Sequence, residues 1–301
     1  MLNKEQIIEG FKGLQDEICA GLEALDGVGK FQQDLWERPG GGGGRTRIIQ
    51  GQLIEKGGVN FSAVHGAMPE KISSALGIPP GNFVATGVSI VLHPKNPWMP
   101  IIHMNVRYFE MDNGIWWFGG GIDLTPHYVD RDAAQAFHQK LKTVCDQFDP
   151  GYYPKFKTWA DDYFFIKHRN ETRGVCGIFY DRLTGSPEDQ ERLFEYSLAV
   201  GRTFVPAYAD QAKRFRDRVY GQRESDWQMY RRGRYVEFNL VWDKGTKFGL
   251  DTNGRTESIL MSLPPQANWI YQFKAEEGSL EEQTLHALKK EVDWVSGLVT
   301  Q

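Results

Sequence analysis

Two apolar-rich runs, Ile102–Glu110 and Ile115–Pro126, flank the tripeptide Asp112-Asn113-Gly114, and no other stretch restricts the fold so tightly. Strand-like runs either side of Asn-Gly read as a β-hairpin, because those residues accept the positive φ angles of a tight turn. Successive side chains on a strand alternate faces, so His103, Asn105 and Arg107 point one way and Met104, Val106 and Tyr108 the other. The second run passes Gly119-Gly120-Gly121 before Asp123, where a bare backbone can bend and a carboxylate can turn over the first strand. A polar row in an apolar sheet costs stability unless it finds partners or a ligand. The row fits either a solvated sheet face or a site. The flanking Tyr108, Phe109, Trp116, Trp117 and Phe118, and a second alternating run that puts Ser89 and His93 on one face, favour a site.

The rest of the chain sets bounds. Its 301 residues suit one large domain, 1–301, with no repeat. A balance of 35 basic to 39 acidic residues argues against nucleic-acid binding or a polybasic membrane surface, so any anionic substrate must be drawn by local arginines. The N-terminus lacks a basic segment followed by an apolar one, and no run of about 18 apolar residues occurs. Cys19, Cys145 and Cys176 make no CxxC pair or disulfide framework. The expectation is a cytoplasmic protein with no integral membrane segment.

Periodicity predicts an N-terminal helix over residues 3–25, capped by Asn3, with Ile7, Phe11, Leu14, Ile18, Leu22 and Leu25 on one face. Residues 39–44, with five glycines in a row, predict a loop, since glycine loses most entropy on ordering. It reads as a flexible surface loop or as a lid whose arginines (Arg38, Arg45, Arg47) hold carboxylates. Strands are expected over Ile48–Leu53, Val59–Val64, Phe83–Leu92, Ile101–Glu110, Val175–Tyr180 and Tyr235–Trp242, and a short helix over Met68–Leu76. Further helices are expected over Asp130–Phe148, Tyr153–His168, from Ser186-Pro187 to about Gly201, over Pro206–Arg218, and from the capping box at Ser279 to about Val295. Short links between strands, then helix clusters, describe an α+β protein with an antiparallel sheet.

The runs GVSIVLHPKNPWMPIIHMNVRYFE, WWFGGGIDLTP, WADDYFFIKHRNETRGVCGIFYD and YVEFNLVWDKGTKFGLDTNGRTESILMSLPP resemble the oxygen-dependent coproporphyrinogen III oxidases of haem biosynthesis. The resemblance covers nearly the whole chain, from about residue 40 to Pro264-Pro265. It implies a single domain with a large antiparallel sheet flanked by helices on both sides, and a homodimer whose interface involves the stretch beginning at Tyr235. The implied substrate is coproporphyrinogen III, a flexible tetrapyrrole with four propionates, two of which become vinyl groups with loss of carbon dioxide. Dioxygen is the implied oxidant, with no organic cofactor. The resemblance also implies substrate contacts from Ser89, Asn105, Val106, Arg107 and the turn Asn253-Gly254-Arg255.

Such chemistry requires groups that hold carboxylates, exclude water and manage protons. Arg107 has the planar fork that suits a carboxylate. Asp123 is the candidate base for a pyrrole N–H, with a pKa raised by desolvation among aromatic rings and offset by Arg107 if close. The alternative reading of the same aspartate is a turn residue bonding amides near Thr125. His103 is the candidate general acid. The resemblance marks His93, His103, His138 and His168 as proposed ligands of a divalent metal such as Mn2+, which is not expected to be essential. Their spacing matches no compact motif, and each alone reads as a hydrogen-bonded structural histidine. A non-catalytic tetrapyrrole carrier and a His-ligated metal oxygenase are the rival classes.

Overall fold

A computed structural model describes residues 2–70, 73, 74, 77–251 and 254–296. An N-terminal helix α1 (Lys4–Asp26) is closed by the expected Asn3 cap, which accepts from the Gln6 amide while the Gln6 side chain accepts from the Asn3 amide. Six strands follow in a meander: β1 (Gln32–Glu37), β2 (Gly42–Ile49), β3 (Ile54–Ala67), β4 (Asn82–Pro94), β5 (Ile101–Met111) and β6 (Trp116–Thr125). Helices α2 (Arg131–Asp146) and α3 (Tyr152–Tyr163) and a ribbon of β7 (Phe165–Ile166) with β8 (Glu171–Thr172) lead to β9 (Cys176–Leu183). Strand β9 completes a seven-stranded antiparallel sheet of order β1-β2-β3-β4-β5-β6-β9. Then come α4 (Asp189–Phe215), α5 (Gln222–Glu237), a π-helical turn (Phe238–Trp242), α6 (Lys244–Asp251), α7 (Thr256–Leu260) and α8 (Leu280–Ala287).

Alternation decides the layers. Even-numbered Val88, Ile90, Leu92, Ile102, Met104, Val106, Tyr108, Phe118 and Ile122 are buried and join α1, α2 and α4 in the main core. The opposite face carries the polar row and is partly covered by the end of α5, the π-turn and α7. The sheet thus has helices on both sides, as expected. The Asp112–Gly114 hairpin forms too, but only Gly114 has positive φ (87°), and the Met111 amide closes the turn on the Ile115 carbonyl at 2.8 Å.

Several boundaries differ from the sequence reading. The glycine run is a loop only in its first half: Pro39–Gly41 turn the chain between β1 and β2, whereas Gly42–Gly44 begin β2, paired with Val64–Ser62 of β3 and, for Gly43 and Gly44, with β1. Ladder bonds need only backbone groups, and a Cβ on Gly44 would lie 2.2 Å from the Trp36 ring, so glycine is what lets that indole cross the strand. The predicted strand at Ile48–Leu53 is therefore the end of β2, which stops at Ile49. Residues Tyr235–Trp242 are helical, not extended. Tyr235, Phe238 and Asn239 are buried at three- and four-residue spacing, while Leu240 and Val241 are about 45% exposed, and the Asp243 amide bonds Phe238 O at 2.9 Å, a π-type closure. The two helices expected either side of Pro206 are one helix, α4, held through the proline by buried residues on both sides (Val200, Phe204, Ala207, Tyr208). The helix expected to run to His168 ends at Tyr163, and the one from Ser279 ends at Ala287, where Leu288 O turns to accept the Thr172 amide. The helix expected at Met68–Leu76 lies partly outside the described residues.

Candidate active site

The site grows from strand register. Strand β5 pairs Ser89 with Asn105 on one side, and pairs His103 with Asp123, Asn105 with Gly121 and Arg107 with Gly119 on the other. Directly opposed residues share a face, so Ser89, His103, Asn105, Arg107 and Asp123 stand together away from the main core. Among them stand Gly87, Gly119, Gly121 and Gly177, which bring no side chain of their own, while Gly58 lies beneath Met261. Val106 does not join them. It is fully buried on the helix side, so only its main chain borders this floor.

One wall is the segment after α6. Asn60 Nδ2 donates to Ser258 O at 3.0 Å, Lys56 Nζ to Leu263 O at 2.7 Å and His93 Nε2 to Ser262 O at 2.9 Å. Arg255 pairs with Asp34 of β1, tying the glycine-rich hairpin to this segment, and its Nη1 is buried without a partner among the described residues. Gly254 begins the wall, and Asn253 lies outside the described residues. The other wall is aromatic: Tyr163 stacks on Phe179, these rings pack edge-on against Phe164 and Phe238, and Phe164 lies tilted against Phe238, at 4.1–6.2 Å between ring centres.

At the foot of the aromatic wall, His103 Nδ1 donates to Asp123 Oδ1 at 2.7 Å, which orients the ring and leaves Nε2 for other contacts. Asp123 is 1% exposed and is no open base. Arg173 Nη2 donates to both its oxygens at 2.8 Å, while Arg173 Nη1 donates to Asn239 Oδ1 at 2.8 Å from the π-turn. The Arg173 guanidinium sits 4.3 Å from the Phe164 ring centre and under 5 Å from those of Phe238 and Tyr235. The expected raised pKa is therefore corrected. Burial pushes the Asp123 carboxyl up, but the Arg173 charge and the His103 bond outweigh it and hold it below the usual carboxylate range. Its partner is Arg173, not Arg107. Nor does Asp123 cap the turn near Thr125, since both its oxygens are taken by His103 and Arg173 among the described residues.

Arg107 donates through Nη1 to Asn105 Oδ1 at 2.7 Å and through Nη2 to Asp181 Oδ1 at 2.8 Å. Arg45 and Arg47, expected on a lid, belong to the other face. They bond Asp16 of α1, and Arg45 also bonds Gln15, because alternation sets them opposite to Thr46 and Gly44. The sequence reading missed Arg173, Asn239 and Asp181. Asp181 was within reach, since it continues the Gly177, Phe179 alternation one residue beyond the expected strand.

The four histidines do not converge. His138 lies in the core, with ring nitrogens 3.0 Å from Tyr153 Oη and 2.9 Å from Val175 O. His168 bonds Glu237 and Trp242, His93 bonds Ser262 O, and His103 bonds Asp123. Among the described residues no group of three or more His, Cys, Asp or Glu is placed to hold a metal ion. These side chains do not fit a shared divalent metal. Cys19, Cys145 and Cys176 are buried free thiols, and no helix among the described residues is long and apolar enough to cross a membrane.

The family model for coproporphyrinogen III oxidase matches residues 6–294. The chain belongs to the coproporphyrinogen III oxidase family. Similar curated members include the oxygen-dependent coproporphyrinogen-III oxidase of Synechococcus sp. (strain CC9902), 50% identical over 94% of this chain and 85% of the relative. Those of Prochlorococcus marinus strains NATL1A and MIT 9313 are 50% and 48% identical, over 93% and 94% of this chain and 88% of each relative. The family match spans both walls and the floor of the cleft.

Proposed function

We propose that this protein catalyses the aerobic oxidative decarboxylation of two propionates of coproporphyrinogen III to vinyl groups, giving protoporphyrinogen IX. Its oxygen-dependent relatives support dioxygen as co-substrate. Each step balances as –CH2CH2COO⁻ + O2 + H⁺ giving –CH=CH2 + CO2 + H2O2. A glycine-rich sheet face with two cations and an imidazole–carboxylate pair at its edges supports this reading. A tetrapyrrole lies against the glycines. Arg107, and Arg255 through its unpartnered Nη1, take propionates, with Ser89, Asn105 and the main chain at Val106 and Gly254 bonding beside them. His103 moves protons through Nε2, while Asp123, fixed by Arg173, holds the ring and balances the imidazolium. The aromatic wall keeps water from the electron-rich ring. The enzyme acts in the cytoplasm as a homodimer, with the exposed Leu240 and Val241 in the interface. Incubating metal-stripped protein with coproporphyrinogen III in air should yield protoporphyrinogen IX and carbon dioxide, and nothing under nitrogen. Unchanged substrate in air would overturn the proposal, and bound but unconverted substrate would mark a carrier.

A further inference from the structure

The substrate of the proposed reaction is a tetra-anion, yet a carboxylate stands in the floor that receives it. Asp181 of β9 has a side chain 37% exposed, against 1% for Asp123. It lies on the cleft face because Arg107 reaches it there, across the whole width of β6. That reach depends on Gly119. A Cβ at this position would sit 2.7 Å from Asp181 Oδ1 and 2.8 Å from both Nε and Nη2 of Arg107. Any side chain would wedge the pair apart. The other carboxylates around the cleft are engaged elsewhere. Asp123 is locked by Arg173, Asp243 accepts from Tyr163 Oη at 2.7 Å and from Thr246, and Asp34 pairs with Arg255 at the far rim.

A carboxylate among groups that bind propionates costs affinity unless it meets a donor. Apart from its carboxyl groups, a porphyrinogen offers only its pyrrole N–H groups as donors, and in the puckered, unconjugated ring these turn out of the mean plane. We propose that Asp181 is a substrate-contacting residue that accepts a hydrogen bond from a pyrrole N–H, with Arg107 bridging it to a propionate. The pair then reads one ring twice: Arg107 takes the acid arm and Asp181 the nitrogen of the same or the adjacent pyrrole. It also makes that pyrrole more electron-rich as it meets dioxygen, a role that Asp123, closed off behind His103, does not fill by direct contact. This rests on the proposed function.

Two ligands separate reading the N–H from merely aiming Arg107. Coproporphyrinogen III, bound under nitrogen, has four propionates and four N–H groups. Nickel(II) coproporphyrin III has the same propionates and no N–H, and its square-planar metal takes axial ligands poorly. Asp181→Asn should weaken the porphyrinogen about 10- to 100-fold, the range of a lost charge-assisted bond, and leave the nickel complex within about twofold. Turnover should fall with it, while Asp181→Glu restores part of both. Equal weakening of both ligands would assign Asp181 only to holding Arg107, and no change in either would remove it from the site. Both results overturn the proposal. Gly119→Ala, which spares the carboxylate but separates the pair, should weaken both ligands by losing the aim of Arg107. If it weakened neither, the bridge would be refuted. The wild-type protein run in parallel guards the premise: failure to convert coproporphyrinogen III in air would reject the proposed function itself.

Discussion

Asp123→Asn tests the centre of the site, and its effects on stability and turnover have separate causes. The wild-type carboxylate accepts from Arg173 Nη2 on both oxygens and from His103 Nδ1 on Oδ1. An amide has one acceptor oxygen. Placed at Oδ1 it keeps the His103 bond and one Arg173 bond, while its NH2 faces the guanidinium, donor against donor. Arg173, 3% exposed, then holds a buried charge without its counter-ion. Breaking a buried pair from one side costs about 3–5 kcal/mol. At about 2.1 cal/mol/K per residue of unfolding entropy, that lowers Tm by roughly 5–8 °C for a chain of this length. The shift also has a pH signature. The folded carboxyl lies below its unfolded value, so its stabilisation is present above about pH 3.9 and is lost as pH falls through the folded value. The variant should lose that part of the acid limb. Turnover should fall by roughly 100-fold or more, because the imidazolium of His103 loses its balancing charge while keeping its orientation. Calorimetry from pH 3 to 8 and steady-state assay with coproporphyrinogen III read both. A variant with native Tm and native turnover would refute the ion-pair account. Native Tm with lost turnover would return Asp123 to a direct chemical role.

Arg107→Lys should keep the fold and lose roughly tenfold or more in kcat/KM, since a point charge cannot serve Asn105, Asp181 and a propionate at once; a native value would exclude the fork geometry. Leu240→Arg should turn a dimer into a monomer in sedimentation velocity, and an intact dimer would place the interface elsewhere. His138 is held neutral by burial, its pKa pushed down to about 3. Its unfolded value is near 6.5, so stability is complete above that pH and falls by up to about 1.4 kcal/mol per unit as pH drops toward 3. His138→Asn should be less stable at pH 7 but flatter across that window, and an equally steep loss would show that other groups, such as the similarly buried His127, carry the slope.

Much of this protein is written in local pattern. The period-two alternation of Val88–His93 and Ile102–Glu110 set which side chains share a face, and the Asp-Asn-Gly turn joined β5 to β6. Helix α1 followed from its apolar spacing and its cap. Those features are local, decided by residues within a few positions of one another. The same alternation already placed Val106 on the helix side, where its side chain is buried. Long-range partners were a different matter. Tyr235–Trp242 satisfies both a two-residue and a three-to-four-residue period, and only packing of Phe238 and Asn239 against Arg173 and the aromatic wall selects the helix. The glycine run reads as a loop because glycine alone specifies nothing; Gly40 and Gly41 do turn, and pairing with β1 and β3 makes Gly42–Gly44 a strand.

The sequence by itself put His103, Asn105 and Arg107 on one face, because alternation along a strand is a geometric certainty once the strand exists, whereas the pairing of β4 with β5 brought Ser89 beside them. It also supplied the family, because long ungapped runs carry that likeness whatever the fold. Tertiary structure alone decided the charges. Arg173, 50 residues beyond Asp123, converts a presumed open base into a buried ion pair, and Asp181 reaches Arg107 over Gly119 from a strand two places away in the sheet. A side chain's acidity depends on what surrounds it in space, and its neighbours in sequence do not reveal which distant cation will come to lie against it.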